Sequence, residues 1–218
     1  MESYWSEALL VLIILVNLSL VGSSRLRACI RLAAVHGIAC SAFALVGGGS
    51  THILHGAGLA LVASVLKGLV FPWLLVRALR EARVSREVEP IVGYVASTLC
   101  CLAMLAGSLW VGSRLRLPSP AISTLVVPVA LFTILVGLFL IVSRTKALTQ
   151  VIGYLVLENG IFVFGVALVR ESPLLVEFGV LLDVFVAVFV MGITVFHIGR
   201  TFDDVDTSRL SSLKDWTP

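Results

Sequence analysis

The chain has 218 residues, of which 59% are hydrophobic and only 13% are charged. A soluble domain carries about 25% charged residues. Half that density cannot cover a surface exposed to water, so the composition excludes a soluble globular protein. The net charge of +3 is small, and its distribution along the chain is more informative than its size.

Seven long apolar segments follow one another and predict an all-α, polytopic transmembrane bundle. Each is close to the roughly 20 residues that a helix needs to cross the bilayer core. None shows the alternating pattern of about 10 residues that a membrane β-strand would have. The predicted spans are 6–24, 32–49, 53–76, 91–112, 121–142, 147–169 and 174–199.

The basic residues between the spans predict the orientation. Positive charge collects on cytoplasmic connections, so the N-terminus is expected outside and the C-terminus in the cytoplasm. One side holds twelve Lys and Arg residues: Arg25, Arg27, Arg31, Arg77, Arg80, Arg83, Arg86, Arg144, Lys146, Arg200, Arg209 and Lys214. The other side holds three: Arg114, Arg116 and Arg170.

The buried charges suggest a division of the chain. The first four spans carry one of them, Lys67, and the last three carry the buried carboxylates. We expect a four-helix module at 1–112, a three-helix module at 113–199 and a cytoplasmic tail at 200–218.

Lys67 and Glu158 are the sharpest functional candidates. A charge at the centre of a bilayer costs about 2.5–3.5 kcal/mol on insertion scales, so such residues are functional candidates by default. Lys67 lies in the third span, and Pro72 follows five residues later. Because proline cannot donate to the preceding helical turn, we expect a kink beside the lysine. Glu158 lies in the middle of the sixth span.

Two polar stripes accompany the buried carboxylates. Gln150 and Tyr154 precede Glu158 at intervals of four residues, and residues four apart lie on one helix face. Asp183, in the seventh span, shares a face with Thr194 and His197, and Glu177 lies near the outer end of that span. These residues predict a path for protons or ions, with Glu158, Asp183 and Lys67 as the transferring groups. The alternatives are a protonated Glu158 that serves packing and a fixed ion pair of Lys67 with Glu158 or Asp183.

The remaining polar residues of the spans predict structural roles. Asn17 is expected to join helices by a hydrogen bond, and His36 and His55 to pack or cap. No catalytic set, metal-ligand cluster or cofactor-binding fingerprint is present in the sequence. We therefore expect neither catalysis nor a cofactor in this chain, and no nucleic-acid partner.

The stretch from Ser143 to Gly165 resembles a known family. Its Ile152-Gly153 pair and the Glu158-Asn159 pair resemble the core helix of the K subunit of respiratory complex I and of the C subunit of multisubunit cation/proton antiporters. With four further helices in front, the whole chain resembles the hydrogenase-4 component E family, membrane-arm subunits of formate hydrogenlyase-type complexes.

This resemblance implies a non-redox subunit of a group 4 nickel–iron hydrogenase in the cell inner membrane. Antiporter-like subunits and a membrane anchor subunit would be its partners, and the nickel–iron centre and iron–sulfur clusters would lie in partner subunits. Buried charges would couple proton or ion translocation to that redox chemistry. An accessory subunit of a cation/proton antiporter and a structural scaffold of a membrane arm are the alternatives.

Overall fold

The computed structural model describes residues 2–47, 64–81, 91–115 and 123–168. Within these ranges the chain is helical and contains no β-strand, as predicted. The predicted seventh span and the tail lie outside the described residues, as do residues 82–90 between the third and fourth predicted spans. The helices are α1 (Glu2–Gly22), α2 (Leu26–Gly47), α3 (Phe71–Glu81), α4 (Tyr94–Arg114), α5 (Val126–Ser143) and α6 (Ala147–Leu168), and a π-helical turn (Leu66–Val70) precedes α3.

Five segments of the described helices are long and apolar enough to cross a membrane. Large apolar side chains on their surfaces are exposed, including Leu15, Val95 and Val142. A water-soluble monomer rarely exposes so much apolar surface, so these faces fit lipid. The five candidate spans are Tyr4–Gly22, Leu26–Val46, Tyr94–Arg114, Val126–Ser143 and Ala147–Gly165.

The start of the second span differs from the prediction. The predicted span began at residue 32, after the arginines, but α2 begins at Leu26 and includes Arg27 and Arg31. Both arginines are exposed. Since an arginine extends its charged end to water along an apolar stem, the backbone can become helical before the hydropathy of the sequence rises.

Helices α5 and α6 form a hairpin with closely packed backbones. A Cβ atom on Gly137 would lie 2.5 Å from the backbone nitrogen of Leu157, and one on Gly160 would lie 2.8 Å from that of Ile134. Small residues allow this approach, which gives membrane helices close van der Waals contact. The hairpin therefore fixes which face of α6 remains for other helices, and α6 packs against α2 as well as α5.

A polar contact joins α1 to α5. The Asn17 side chain is fully buried, and its Nδ2 donates to Thr133 Oγ1 at 2.9 Å. The Thr133 hydroxyl in turn donates to the carbonyl of Val129 at 2.8 Å. This contact confirms the prediction that Asn17 joins two helices.

Candidate functional site

The π-helical turn places Lys67 in the interior of the bundle. The N–H of Phe71 donates to the carbonyl of Leu66, five residues earlier, which is one residue more than in an α-helix. The turn ends beside Pro72, which has no N–H with which to continue the ladder. The sequence predicted a kink beside the lysine, and the structure has a π turn at this position.

Two glycines allow this turn to lie directly against α2. A Cβ atom on Gly37 of α2 would lie 2.7 Å from the Cβ of Lys67, and one on Gly68 would lie 2.9 Å from Cδ1 of Ile38. The contact is thus reciprocal, with a glycine on each side. It holds the stem of Lys67 on the surface of α2.

Lys67 ends in an ion pair with Glu158 of α6. Its Nζ lies 2.8 Å from Glu158 Oε1 and donates to Asn159 Oδ1 at 2.8 Å. The ring of Phe162 adds a cation–π contact at 5.2 Å. All three hydrogen-bonding residues are buried, with exposures of 7% for Lys67 and 3% for each of the other two. Removing an ion from water costs several kcal/mol, and these three contacts offset that cost for the ammonium group.

The structure shows one of the two partners that the sequence left open for Lys67. The lysine pairs with Glu158. Asp183, the other predicted partner, lies outside the described residues, as do Glu177, Thr194 and His197. The structure therefore brings together two of the three predicted transferring groups.

His36 adds a fourth polar side chain to Lys67, Glu158 and Asn159. The sequence interpretation had expected it only to pack or cap. It is fully buried on α2, and its Nδ1 lies 3.1 Å from Asn159 Nδ2 and 3.8 Å from Cys40 Sγ. The neighbouring Gly37, which leaves room for Lys67 on the surface of α2, was the one sign in the sequence that this part of α2 lies in a close contact. We call Lys67, Glu158, Asn159 and His36 the polar cluster.

Two atoms of the polar cluster are buried without a hydrogen-bond partner among the described residues, Glu158 Oε2 and His36 Nε2. Buried polar atoms are usually paired, so these two atoms are open hydrogen-bonding positions of the cluster. A crevice of about 10 Å³ reaches Lys67 and Asn159, which is about the space that one water requires. Apolar residues form the rest of its wall: Ile30, Ala33, Ala34, Phe71, Pro72, Leu75 and Leu155.

The structure describes all three residues of the predicted stripe along α6. Tyr154 is half-buried one turn before Glu158. The side chain of Gln150 donates from Nε2 to the carbonyl of Arg144 at 3.0 Å, so it satisfies an acceptor just before the start of α6. Gln150 therefore has a structural role, since it supplies a hydrogen bond to the backbone at the start of α6.

Arg144 is a second buried cation, which the sequence interpretation had grouped with the charges of a connection. It is 1% exposed, and its Nη2 donates to the carbonyl of Val21 at 2.8 Å. Its guanidinium carbon lies 5.6 Å from the centre of the Tyr94 ring. Burial lowers the pKa of this guanidinium from its ordinary value. Nη1 has no hydrogen-bond partner within the described ranges.

The described residues contain no group of three or more His, Cys, Asp or Glu side chains that could hold a metal ion. The polar cluster itself offers one carboxylate and one imidazole beside an ammonium group. A cation next to these two groups disfavours a second positive charge. The arrangement suits proton exchange between side chains better than metal binding.

Comparisons with known proteins place the chain in a family. No protein-family model matches the sequence, and no solved structure matches it. The uncharacterized protein Rv0085 of Mycobacterium tuberculosis is 34% identical over 206 residues, which cover 93% of each chain. Hydrogenase-4 component E of Escherichia coli K12 is 30% identical over 152 residues, or 70% of each chain, and that of Shigella flexneri matches equally well. The chain belongs to the hydrogenase-4 component E family.

Proposed function

We propose that this chain is a non-redox membrane subunit of a group 4 nickel–iron hydrogenase complex of the formate hydrogenlyase type. The single observation that carries the proposal is the buried Lys67–Glu158 ion pair in a member of the hydrogenase-4 component E family. The chain has no catalytic activity of its own in this proposal. The nickel–iron centre and the iron–sulfur clusters belong to partner subunits.

The ion pair has two states that differ in the position of one proton. In the ionised state the proton is on Lys67, and in the neutral state it has crossed the 2.8 Å hydrogen bond to Glu158 Oε1. The neutral state lacks the Coulomb attraction that holds the side chains together. Each side chain can then exchange a proton with its next partner.

This exchange gives the subunit its role in the complex. Redox chemistry in the partners alters the electric field in the membrane arm, and the pair responds by moving its proton. Asp183, Glu177, Thr194 and His197 form the onward route in this proposal, and Gln150 and Tyr154 line the approach. The Ile152-Gly153 and Glu158-Asn159 pairs resemble the core helix of subunit K of complex I and of the C subunit of cation/proton antiporters. This resemblance supports lateral transfer between antiporter-like subunits and an anchor subunit.

A double variant tests the relay against a structural scaffold. Removing one partner of a buried ion pair leaves an uncompensated charge and costs about 3–5 kcal/mol, whereas replacing both is often neutral. We therefore compare Glu158→Gln, Lys67→Met and the double variant in the intact complex in inverted membrane vesicles. The double variant is expected to assemble and turn over hydrogen but to move fewer protons per hydrogen molecule.

The control changes another buried interhelical pair that cannot titrate. Asn17→Leu combined with Thr133→Val removes the hydrogen bond between α1 and α5 and is expected to keep the proton yield. If the Lys67→Met/Glu158→Gln variant keeps the full yield too, the relay is wrong and the pair is a scaffold. If both double variants lose it equally, the loss is a general effect of disturbed packing, and the relay is also contradicted.

Purification of the tagged chain tests the assembly. We expect a nickel–iron hydrogenase large subunit, antiporter-like subunits and an anchor subunit to be recovered with it from the cell inner membrane. Recovery of antiporter subunits without any hydrogenase subunit would identify it instead as an antiporter accessory subunit.

We also propose seven spans with the N-terminus outside and the C-terminus in the cytoplasm. The unequal distribution of Lys and Arg supports this orientation. In a variant with Ser85→Cys as the thiol to be labelled, an impermeant reagent is expected to react only from the cytoplasmic face. Labelling from the outside alone would reverse the orientation.

A further inference from the structure

The orientation of the Asn159 amide is fixed by its neighbour Lys67. A lysine ammonium has three donors and no acceptor, so the Asn159 atom that it contacts at 2.8 Å must be the oxygen. The other end of the same amide, the NH₂ group, then faces His36 Nδ1 at 3.1 Å. A charge on one side of the amide thereby determines the hydrogen-bonding role of the other side.

That role determines the tautomer of His36. An amide NH₂ only donates, so Nδ1 must present its lone pair. The Cys40 thiol, 3.8 Å from the same nitrogen, is also compatible with an acceptor there. A neutral imidazole with a bare Nδ1 carries its proton on Nε2, the atom that is buried without a partner among the described residues.

We propose that Asn159 makes positive charge on Lys67 and on His36 mutually exclusive. A protonated His36 donates from both ring nitrogens, so its Nδ1–H would require the amide oxygen. The amide would have to rotate, and its NH₂ group would then face Lys67. Only a neutral lysine, which has a lone pair, can accept that hydrogen bond. With both residues charged, either orientation places two donors against each other.

The resulting step takes up one proton from outside the cluster and moves a second one within it. One proton binds to His36 Nδ1, the amide of Asn159 rotates by half a turn, and Lys67 gives one proton to Glu158 Oε1. The new O–H bond of Glu158 then turns away from Nζ, so that the single lone pair of Nζ accepts from the amide. Before the step the cluster holds Lys67⁺, Glu158⁻ and neutral His36, and after it holds neutral Lys67, protonated Glu158 and His36⁺. The cluster has gained one proton. Asn159 is thus a positioning residue that links the pair to a third proton carrier.

Coulomb repulsion alone gives a weaker form of the same exclusion. Among the described residues, the titratable groups around His36 are Lys67 from the π turn, its ion-pair partner Glu158 from α6, and Cys40 from its own helix. Lys67 opposes a charge on His36, and Glu158 favours it. The amide adds a directional requirement that depends on Asn159 and not on net charge, and this requirement can be tested separately.

The first test is nuclear magnetic resonance of the full chain in lipid nanodiscs with ¹⁵N-labelled histidine. The His36 signals are assigned by their loss in His36→Gln. We expect a one-bond proton coupling at Nε2 and none at Nδ1 at neutral pH. A coupling at Nδ1 would overturn the proposal. This measurement uses the unaltered protein, so it does not depend on whether a variant folds.

The second test measures how strongly Lys67 controls the protonation of His36. The change in the midpoint pH of the His36 titration that Lys67→Met causes is determined with Asn159 present and in the N159L background. Leucine fills a similar volume without hydrogen bonds and without a change in charge. Because a mismatched buried hydrogen bond disfavours a state by about tenfold or more, we expect Lys67→Met to raise the proton affinity of His36 about tenfold more with Asn159 than without it. Equal changes in the two backgrounds would overturn the proposal.

The transport role of this exclusion rests on the proposed function, but the exclusion itself does not. If the tautomer and the coupling are found and proton transfer by the complex survives loss of the ion pair, the proposed function fails alone. If the ion pair is required for transfer but Nδ1 carries the proton, the inference about Asn159 fails alone.

Discussion

Gly37 and Lys67 lie so close together that a methyl group on the glycine would stand 2.7 Å from the Cβ of the lysine. Real Cβ atoms essentially never approach another atom so closely. The glycine is therefore the feature of α2 that lets Lys67 reach Glu158. This relationship yields the first of four predictions.

Gly37→Ala is expected to displace the π turn and separate Lys67 from Glu158. Adding a methyl group to a packed interior costs about 1–3 kcal/mol. We expect a lower unfolding temperature in detergent and a lower proton yield of the assembled complex. Gly107→Ala is the matched control, because a Cβ at that exposed position of α4 meets nothing within 4 Å. Equal behaviour of the two variants would show that the close contact is unimportant.

Gly137→Ala tests the packing of the α5–α6 hairpin independently of the polar cluster. Its Cβ would meet the backbone of Leu157, which cannot rotate away as a side chain could. We expect destabilisation near the upper end of about 1–3 kcal/mol, measured by thermal unfolding in detergent. An unfolding temperature as high as that of Gly107→Ala would contradict the tight contact.

Pro72→Ala supplies the N–H that the helix lacks and lets the π turn relax to a regular α-helix. A π turn contains one residue more per hydrogen-bonded turn than an α-helix. Its relaxation to an α-helix therefore rotates the side chains on either side of it by about 100° relative to each other. We expect the protein to stay folded while the Lys67–Glu158 pair is broken and the proton yield falls. The folded state is checked by circular dichroism. An unchanged yield would mean that the π turn persists without the proline or is not needed.

Arg144→Met is expected to loosen the end of α1. The carbonyl of Val21 would lose its donor, and an unsatisfied buried polar group costs about 1–3 kcal/mol. Cleavage by an added protease between α1 and α2 should become faster. Arg144→Gln, which retains an amide donor, is the matched comparison and should be cleaved at an intermediate rate. Identical cleavage of all three proteins would show that this hydrogen bond does not hold the end of the helix.

The sequence was sufficient to find Lys67 and Glu158 but not to pair them. Each can be recognised alone, because a charge at membrane depth is costly wherever it occurs. Their pairing depends on the glycine contacts between α2 and the π turn and on the packing of α2 against α6. It joins two residues that are 91 positions apart in the chain. Such contacts are set by the packing of whole helices and leave no local periodic signal.

His36 and Arg144 show two further limits of the sequence interpretation. A neutral histidine in a span carries no obvious energetic cost, so it was interpreted as packing, and its contact with Asn159 appears only in three dimensions. Arg144 was counted with the charges of a connection. The connection between α5 and α6 is only three residues long, 144–146, and the guanidinium is buried against the end of α1.

The Oε2 atom of Glu158, which has no hydrogen-bond partner among the described residues, bears on the speed of the proposed relay. A carboxylate that receives two or three hydrogen bonds is so well stabilised in its ionised form that it rarely accepts a proton. Within the described residues, Glu158 receives its hydrogen bond at Oε1, and Oε2 remains open to a further donor. In the proposed relay, a group that must release a proton as readily as it binds one cannot be such a trap, since a trap on the route would set the turnover of the whole complex.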